Sequence, residues 1–267
     1  MSEDDVKRLI AIIGMILSGA PSLFAQSMTD MVDFSSDAYT KAEMSRADIA
    51  AAIEKLPPGE KLNLSGKALN GLDLSNMDLQ RVNLQAARMM RTNFSNSNLD
   101  GVNLDSAWSL NSKWAGAKLR GASLFQTQLQ GADLTGADFS GAHVAGDFSK
   151  ANLQNAVFDK ADLSPNEANQ SMGLMRGTFR NSTLDGASFR GANMHRVLIE
   201  FSSLKGADLT EANLDDAELG GSNFDGANVH GADLKDADFT SANVSGIKNL
   251  KDAKNWTKAK GLPSNSQ

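Results

Sequence analysis

The sequence predicts an all-β solenoid, a chain that turns after every few residues and stacks those turns into a ridged tube. Three observations carry this. A large apolar residue recurs at every fifth position, a small residue stands two places before most of these, and polar residues with frequent glycine fill the rest of each unit. A period of five fits neither the 3.6 of a helix nor the 2 of a long strand. The chain must therefore turn at each unit, and glycine at the fifth place supplies the positive φ that a tight turn requires.

At 267 residues and 41% hydrophobic content the chain can bury a real core, and the absence of cysteine excludes disulfides, thiol nucleophiles, iron–sulfur clusters and thiolate zinc. Residues 1–25 read as a secretory signal: Lys7 and Arg8, the apolar run Leu9 to Leu17, then Pro21 and a small Ala25 before the expected cut at Gln26. Acidic residues near the start and Leu23 depart from that pattern, and the competing reading is a retained anchor over Leu9 to Ala25. Cleavage would leave no stable membrane insertion. It would also change the formal charge from −6 to −5, since Glu3, Asp4, Asp5, Lys7 and Arg8 sum to −1. So mild an acidity favours solubility and argues against general affinity for nucleic acid.

Residues 26–61 read as an N-terminal segment with a capping helix. "TKAEMSRADIAAAIEKLPP" offers Thr40 and Glu43 as a capping box, places Ile49, Ile53 and Leu56 at helical spacing, and stops at Pro57. The repeats then occupy residues 62–246. Their apolar column runs from Leu64 every five residues to Val144, slips by one residue near 145–147, and continues at Phe148, Leu153, Phe158 and Leu163. After an inserted loop at 164–173 it is expected to resume at Leu174 and run to Val244. Of 36 such positions 35 are apolar, Ser109 being the exception, where 41% hydrophobic content predicts about 15. Small residues such as Ala117, Ala132, Ala187 and Ala207 share the inward face, because residues two apart in an extended segment point the same way.

The run "ADLTGADFSGAHVAG" and its many neighbours resemble the pentapeptide-repeat family, A(D/N)LXX, over roughly Leu62 to Gly246. The resemblance implies a right-handed quadrilateral parallel β-helix with four units per coil. About nine coils spaced at about 4.8 Å give a rod about 40 Å long. One unit cannot offset the ordering of five residues by burying one side chain, so stability must come from stacking. Residues 247–267 would cap the far end, with Ile247, Leu250 and Trp256 turned to the last coil and five lysines turned out.

No reactive constellation emerges. His143, His195 and His230 fall on different coils and, by the four-sided count, on different faces, and the spaced glycines belong to the repeat and not to a phosphate loop. Neither a cofactor nor a metal site is expected. Some cytosolic members of the family resemble a DNA rod and bind topoisomerases. That mimicry needs charge aligned on one side, whereas Asp208, Asp215, Glu218 and Asp225 occupy four successive faces in the count. The anomalies are apolar residues in outward slots. Met90, Trp108, Leu110 and Phe125 make one candidate partner surface. Val157, Met175, Leu198 and Phe201 make a second, with Val157, Thr178 and Leu198 expected to stack beside the loop. The reading is an exported, noncatalytic scaffold, monomeric or weakly dimeric, that binds a protein in the periplasm or at the cell envelope. The alternative is a carbohydrate-binding or carbohydrate-cleaving envelope protein using Trp108, Trp114 or Phe125 as a sugar platform, and a DNA-mimic topoisomerase inhibitor is a third.

Overall fold

Parallel bridges link residues twenty apart around the chain, so four five-residue units complete one coil. The first short pair, β1 (Leu62–Asn63) and β2 (Val82–Asn83), sets the register with Leu62 opposite Val82. In the computed structural model, which describes residues 33–165 and 175–263, four such ladders run along the rod with nine or ten rungs each. One ladder passes through Arg88, Trp108, Gln128, Asp147, Thr178, Leu198, Glu218 and Asp238 to Lys260, and defines what is here called the Trp108 face. The signal expected in residues 1–25 lies outside the described residues. No helix among the described residues is long and apolar enough to cross a membrane.

Each unit turns in the same way. The carbonyl of the column residue accepts from the amide three residues on, as Leu84 does from Ala87 at 3.0 Å, with positive φ at the residue between (Ala86, 54°). Glycine often takes that place, yet nineteen non-glycine residues also occupy it, nine of them Asn or Asp if the Asn-capped end turns are included. The preceding Asp or Asn accepts from the amide two residues later, as Asp73 does from Ser75 at 3.1 Å, which favours the turn locally. Between coils, amides and carbonyls pair from one unit to the next coil: Leu84 donates to Asn103 and Trp108 to Ala87, both at 2.9 Å.

The column fills the axis. Leu99, Leu134, Leu209 and Leu219 are among residues that are 0–1% exposed. Two stacks of phenylalanine run lengthwise, Phe139 on Phe158 on Phe189 and Phe148 on Phe179, with centroids 4.7 to 5.0 Å apart. Where serine or threonine replaces the small residue, its hydroxyl is satisfied by a carbonyl, as Thr92 donates to Leu69 at 2.7 Å and Thr127 to Leu104 at 2.8 Å. Ser109 remains in the column and is fully buried. It sits beside Trp114, whose indole Nε1 donates to Ser112 Oγ at 2.7 Å while the ring stacks on Phe94 at 4.1 Å. A small polar residue at 109 thus gives room and a hydrogen-bonding neighbour, Ser112 at 2.9 Å, next to the largest core side chain.

The chain divides into two compact units, 1–36 and 37–267. In the first, Ser35 and Ser36 bond back to Asp33. In the second, α1 (Asp37–Thr40) and α2 (Arg46–Glu54) precede the coils. The capping box is formed by Ser45 and Asp48, not by Thr40 and Glu43. Glu43 is engaged elsewhere: its amide donates to Ala68 at 2.8 Å, its carboxylate accepts from Ala68 N at 3.1 Å and pairs with Lys67 at 2.9 Å. Residues 42–43 therefore extend against the first coil through an antiparallel bridge at Leu69, and α2 begins only after them, burying Ile49. At the far end the rungs at Lys248, Lys254 and Lys260 lie six residues apart. The extra residue makes 3₁₀ turns at Leu250–Asp252 and Trp256–Lys258, with Ile247, Leu250, Trp256 and Leu262 packed on the core.

The slip appears as rungs nineteen apart, from Gln128 to Asp147 through His143 to Asp162. The insertion appears as rungs thirty-one apart, from Asp147 to Thr178 through Asp162 to Asn193. The column passes from Leu163 to Phe179, so the insertion adds eleven residues to one step of the coil. Leu174, expected as a column residue, falls within that step and lies outside the described residues.

Candidate functional site

The rungs assign the outward apolar residues to faces. Trp108 and Leu198 belong to one ladder, and Met90, Leu110 and Phe201 follow column residues on that same side. The two predicted patches therefore share most of one face. Val157 does not belong to it: it pairs with Asp138 and Ser188, two faces away from Thr178 and Leu198 and so on the opposite side of the coil. The four-sided count misplaced it because the eleven extra residues hide two whole units. Phe125 stands on another side of the rod, half-buried, with its amide bonded to Asp105 at 2.9 Å. Met175 is half-buried just ahead of the Trp108 face.

Two of the expected surface residues are interior. Met90 is 2% exposed, because the segment around α1 lies over this end of the face. Asn70 Nδ2 donates to Ala38 O and Lys41 O, and Arg91 donates to Tyr39 O. Trp108 stays in its outward slot, half-buried, with its ring 6.0 Å from that of Tyr39, and Leu110 is half-buried beside it. Leu198 is also buried. It lies between Thr178 and Glu218, and Arg176 spans its coil, donating to Arg196 O and to Glu218 Oε1, each at 2.9 Å. Trp114 is 1% exposed, so it offers no sugar platform.

Phe201 is different. It is 66% exposed, the one large hydrophobic residue so exposed among those described, and it takes positive φ (53°), a conformation rare for a bulky side chain. Its ring lies across the next coil at Gly221, where a Cβ would come within 2.7 Å of Phe201 Cδ1. With Gly220 and Gly221 lacking side chains, a groove of about 360 Å³ opens between the coil of Phe201 and that of Thr240. Glu200, Glu218 and Asp238 line it. Arg180 pairs with Glu200 at 3.0 Å, Arg176 with Glu218 at 2.9 Å, and Lys260 lies 3.9 Å from Asp238. The Thr240 hydroxyl and amide hold the Asp238 carboxyl below the usual carboxylate range, so it is ionised at neutral pH.

The ladders also place the histidines. His143 and His195 turn out to share a face, two coils apart, with His143 3.5 Å from Asp162. His195, Asp215 and Asp216 bring ligand atoms within 4.8 Å of one another, a grouping the spacing did not reveal. Lys235 already pairs with one of its carboxylates, its ammonium 3.1 Å from Asp215 and its pKa raised by that bond. The acids Asp208, Asp215, Glu218 and Asp225 do stand on four successive sides.

The sequence matches the family of pentapeptide repeats in eight copies, over residues 69–105, 111–141 and 202–246. The chain is a pentapeptide-repeat protein. Membership carries the right-handed quadrilateral β-helix, and the twenty-residue ladders independently supply its four sides. No curated protein matches this pentapeptide-repeat chain. Among solved structures it is similar to HetL, a pentapeptide repeat protein involved in heterocyst differentiation regulation from the cyanobacterium Nostoc sp., at 25% identity over 79% of this chain and 94% of that one, with a TM-score of 0.38. It is also similar to QnrB1, a plasmid-mediated fluoroquinolone resistance protein, at 18% identity over 73% and 78% of the two chains, with a TM-score of 0.42. A pentapeptide repeat protein of the Arabidopsis thaliana thylakoid lumen aligns at 28% identity over 46% and 68%, with a TM-score of 0.28.

Proposed function

We propose that this pentapeptide-repeat chain is a noncatalytic interaction module, exported to the periplasm or cell envelope, that binds a partner protein on its Trp108 face around Phe201. The observation that carries the reading is the exposed Phe201 ring, held at the turn that follows the ladder residue Leu198, beside a groove that the coil leaves open. A rigid surface loses little conformational freedom on binding, and a desolvated aromatic anchor is the commonest kind of hot spot. Family membership supports the same class, since such repeats act as interaction scaffolds. Export rests on the apolar run Leu9 to Leu17 and the small residue at Ala25. The protein works as a monomer or weak dimer, without cofactor or nucleic acid. Dispersal of its acids over four sides, many paired with arginine or lysine, gives no phosphate-like stripe.

A photo-crosslinking residue at position 201 tests this in cells of the source organism, with the same residue at Asp225, on another side, as control. A discrete adduct formed at 201 and absent at 225 is the expected result. No adduct at 201, or the same adduct from both positions, would overturn it.

A further inference from the structure

We infer that the groove above Gly220 and Gly221 receives an arginine side chain of the partner, laid against the Phe201 ring and held by Glu200, Glu218 and Asp238. The inference rests on the interaction reading above and specifies the chemistry of its central contact. Three carboxylates line the opening and no cationic side chain does. The nearby cations approach from outside it, Arg176 and Arg180 each engaging one oxygen of Glu218 and Glu200, and Lys260 remaining 3.9 Å from Asp238. Glu218 and Asp238 are direct ladder partners, so their carboxylates rise from adjacent coils, about 4.8 Å apart in backbone spacing, on the same side.

Such a pair of acceptors beside an exposed ring suits a guanidinium better than any other common side chain. It is planar, permanently charged, forks to two oxygens, and stacks on an aromatic face. A lysine ammonium would use the charge but neither the plane nor the fork. An apolar side chain would take water from the carboxylates and add no hydrogen bond to those that Arg176 and Arg180 already supply. Glycine at 221 is what lets the Phe201 ring rest there, since any Cβ would meet it at 2.7 Å, and Gly220 adds no side chain to the lining of the groove.

The test is a heteronuclear NMR titration of the full chain with N-acetyl-arginine N-methylamide, and with the citrulline analogue, which has the same shape without the charge. The arginine probe is expected to shift the amide signals of Phe201, Gly220, Gly221 and Thr240. Citrulline should bind about tenfold more weakly, and raising the salt to about 0.5 M should weaken the arginine shifts. Phe201→Ala and Glu218→Gln should each reduce the arginine response to the citrulline level while leaving signals from distant coils in place. Equal binding of citrulline, or arginine shifts that avoid these four residues, would overturn the inference. Crosslinking at position 201 distinguishes the two levels: an adduct without an arginine response removes the arginine contact and keeps the interaction module, whereas loss of both removes the module too.

Discussion

The ring of Phe201 lies over Gly221 of the following coil, so close that no side chain at 221 can share the space. The two residues therefore act as one surface element, the glycine setting where the aromatic ring can rest. Gly221→Ala is expected to destabilise the chain by about 1 kcal/mol through its positive φ of 67° and, in addition, to displace the ring. Adding Phe201→Ala removes the second effect. A double-mutant cycle by urea denaturation should give a coupling of about 0.5 kcal/mol or more, and strict additivity would mean that ring and glycine are independent.

Trp114 depends on Ser112. Replacing Ser112 with alanine leaves the buried indole N–H without its acceptor, at an expected cost of about 1–3 kcal/mol. The urea midpoint should fall with little change in slope. Trp114→Phe in the same background should recover part of the loss, because the unpaired donor is then gone.

Acid should weaken the fold through several turn and cap carboxylates. The Lys67 ammonium and the Ala68 amide lower the Glu43 pKa, the Ser45 hydroxyl and amide lower that of Asp48, Ser75 lowers that of Asp73, and Thr240 lowers that of Asp238. A carboxyl depressed in the folded state stabilises fully above its unfolded pKa, about 3.9 for Asp, and loses that contribution as pH falls through the folded value. The melting temperature should therefore fall steadily below about pH 4. Asp238→Asn should start lower at neutral pH and lose less on acidification, as thermal scans across that range would reveal.

The pentad was legible because each unit carries its own instruction: a column residue, a small residue two before it, and a turn with Asp or Asn preceding it. Even the one-residue slip at 145–147 was readable, since it shifts every later unit. What a period of five cannot reveal is how many units an insertion consumes. Eleven extra residues look like one, and so the count puts Val157 on the wrong face. Burial of Met90 and Leu198 was hidden for another reason, because the covering groups, the α1 segment and Arg176, come from outside the repeat pattern. Likewise Thr40 and Glu43 fit the capping pattern, but Glu43 has stronger partners in Ala68 and Lys67. Gly220 and Gly221 were the available signal for the groove, as the one adjacent glycine pair in the sequence.

Excision of residues 164–174 follows from that register. It joins Leu163 to Met175 and leaves Met175, Arg176, Gly177 and Thr178 between column residues Leu163 and Phe179, a regular step of five. The rungs now thirty-one apart return to twenty. Circular dichroism and cooperative melting should survive the deletion with a shift of a few degrees. A collapse of cooperativity would show that the insertion holds the coil together.

The exposed face keeps its geometry only if the rod is held from within, by one apolar side chain per five residues. Thermal melting of Leu209→Asp, followed by circular dichroism, tests that assumption most directly, since Leu209 is 1% exposed near the middle of the C-terminal coils. A carboxylate there would be buried without a cation, an expected loss of several kcal/mol, so the variant should melt far below the parent or fail to fold. Melting indistinguishable from the parent would contradict the account.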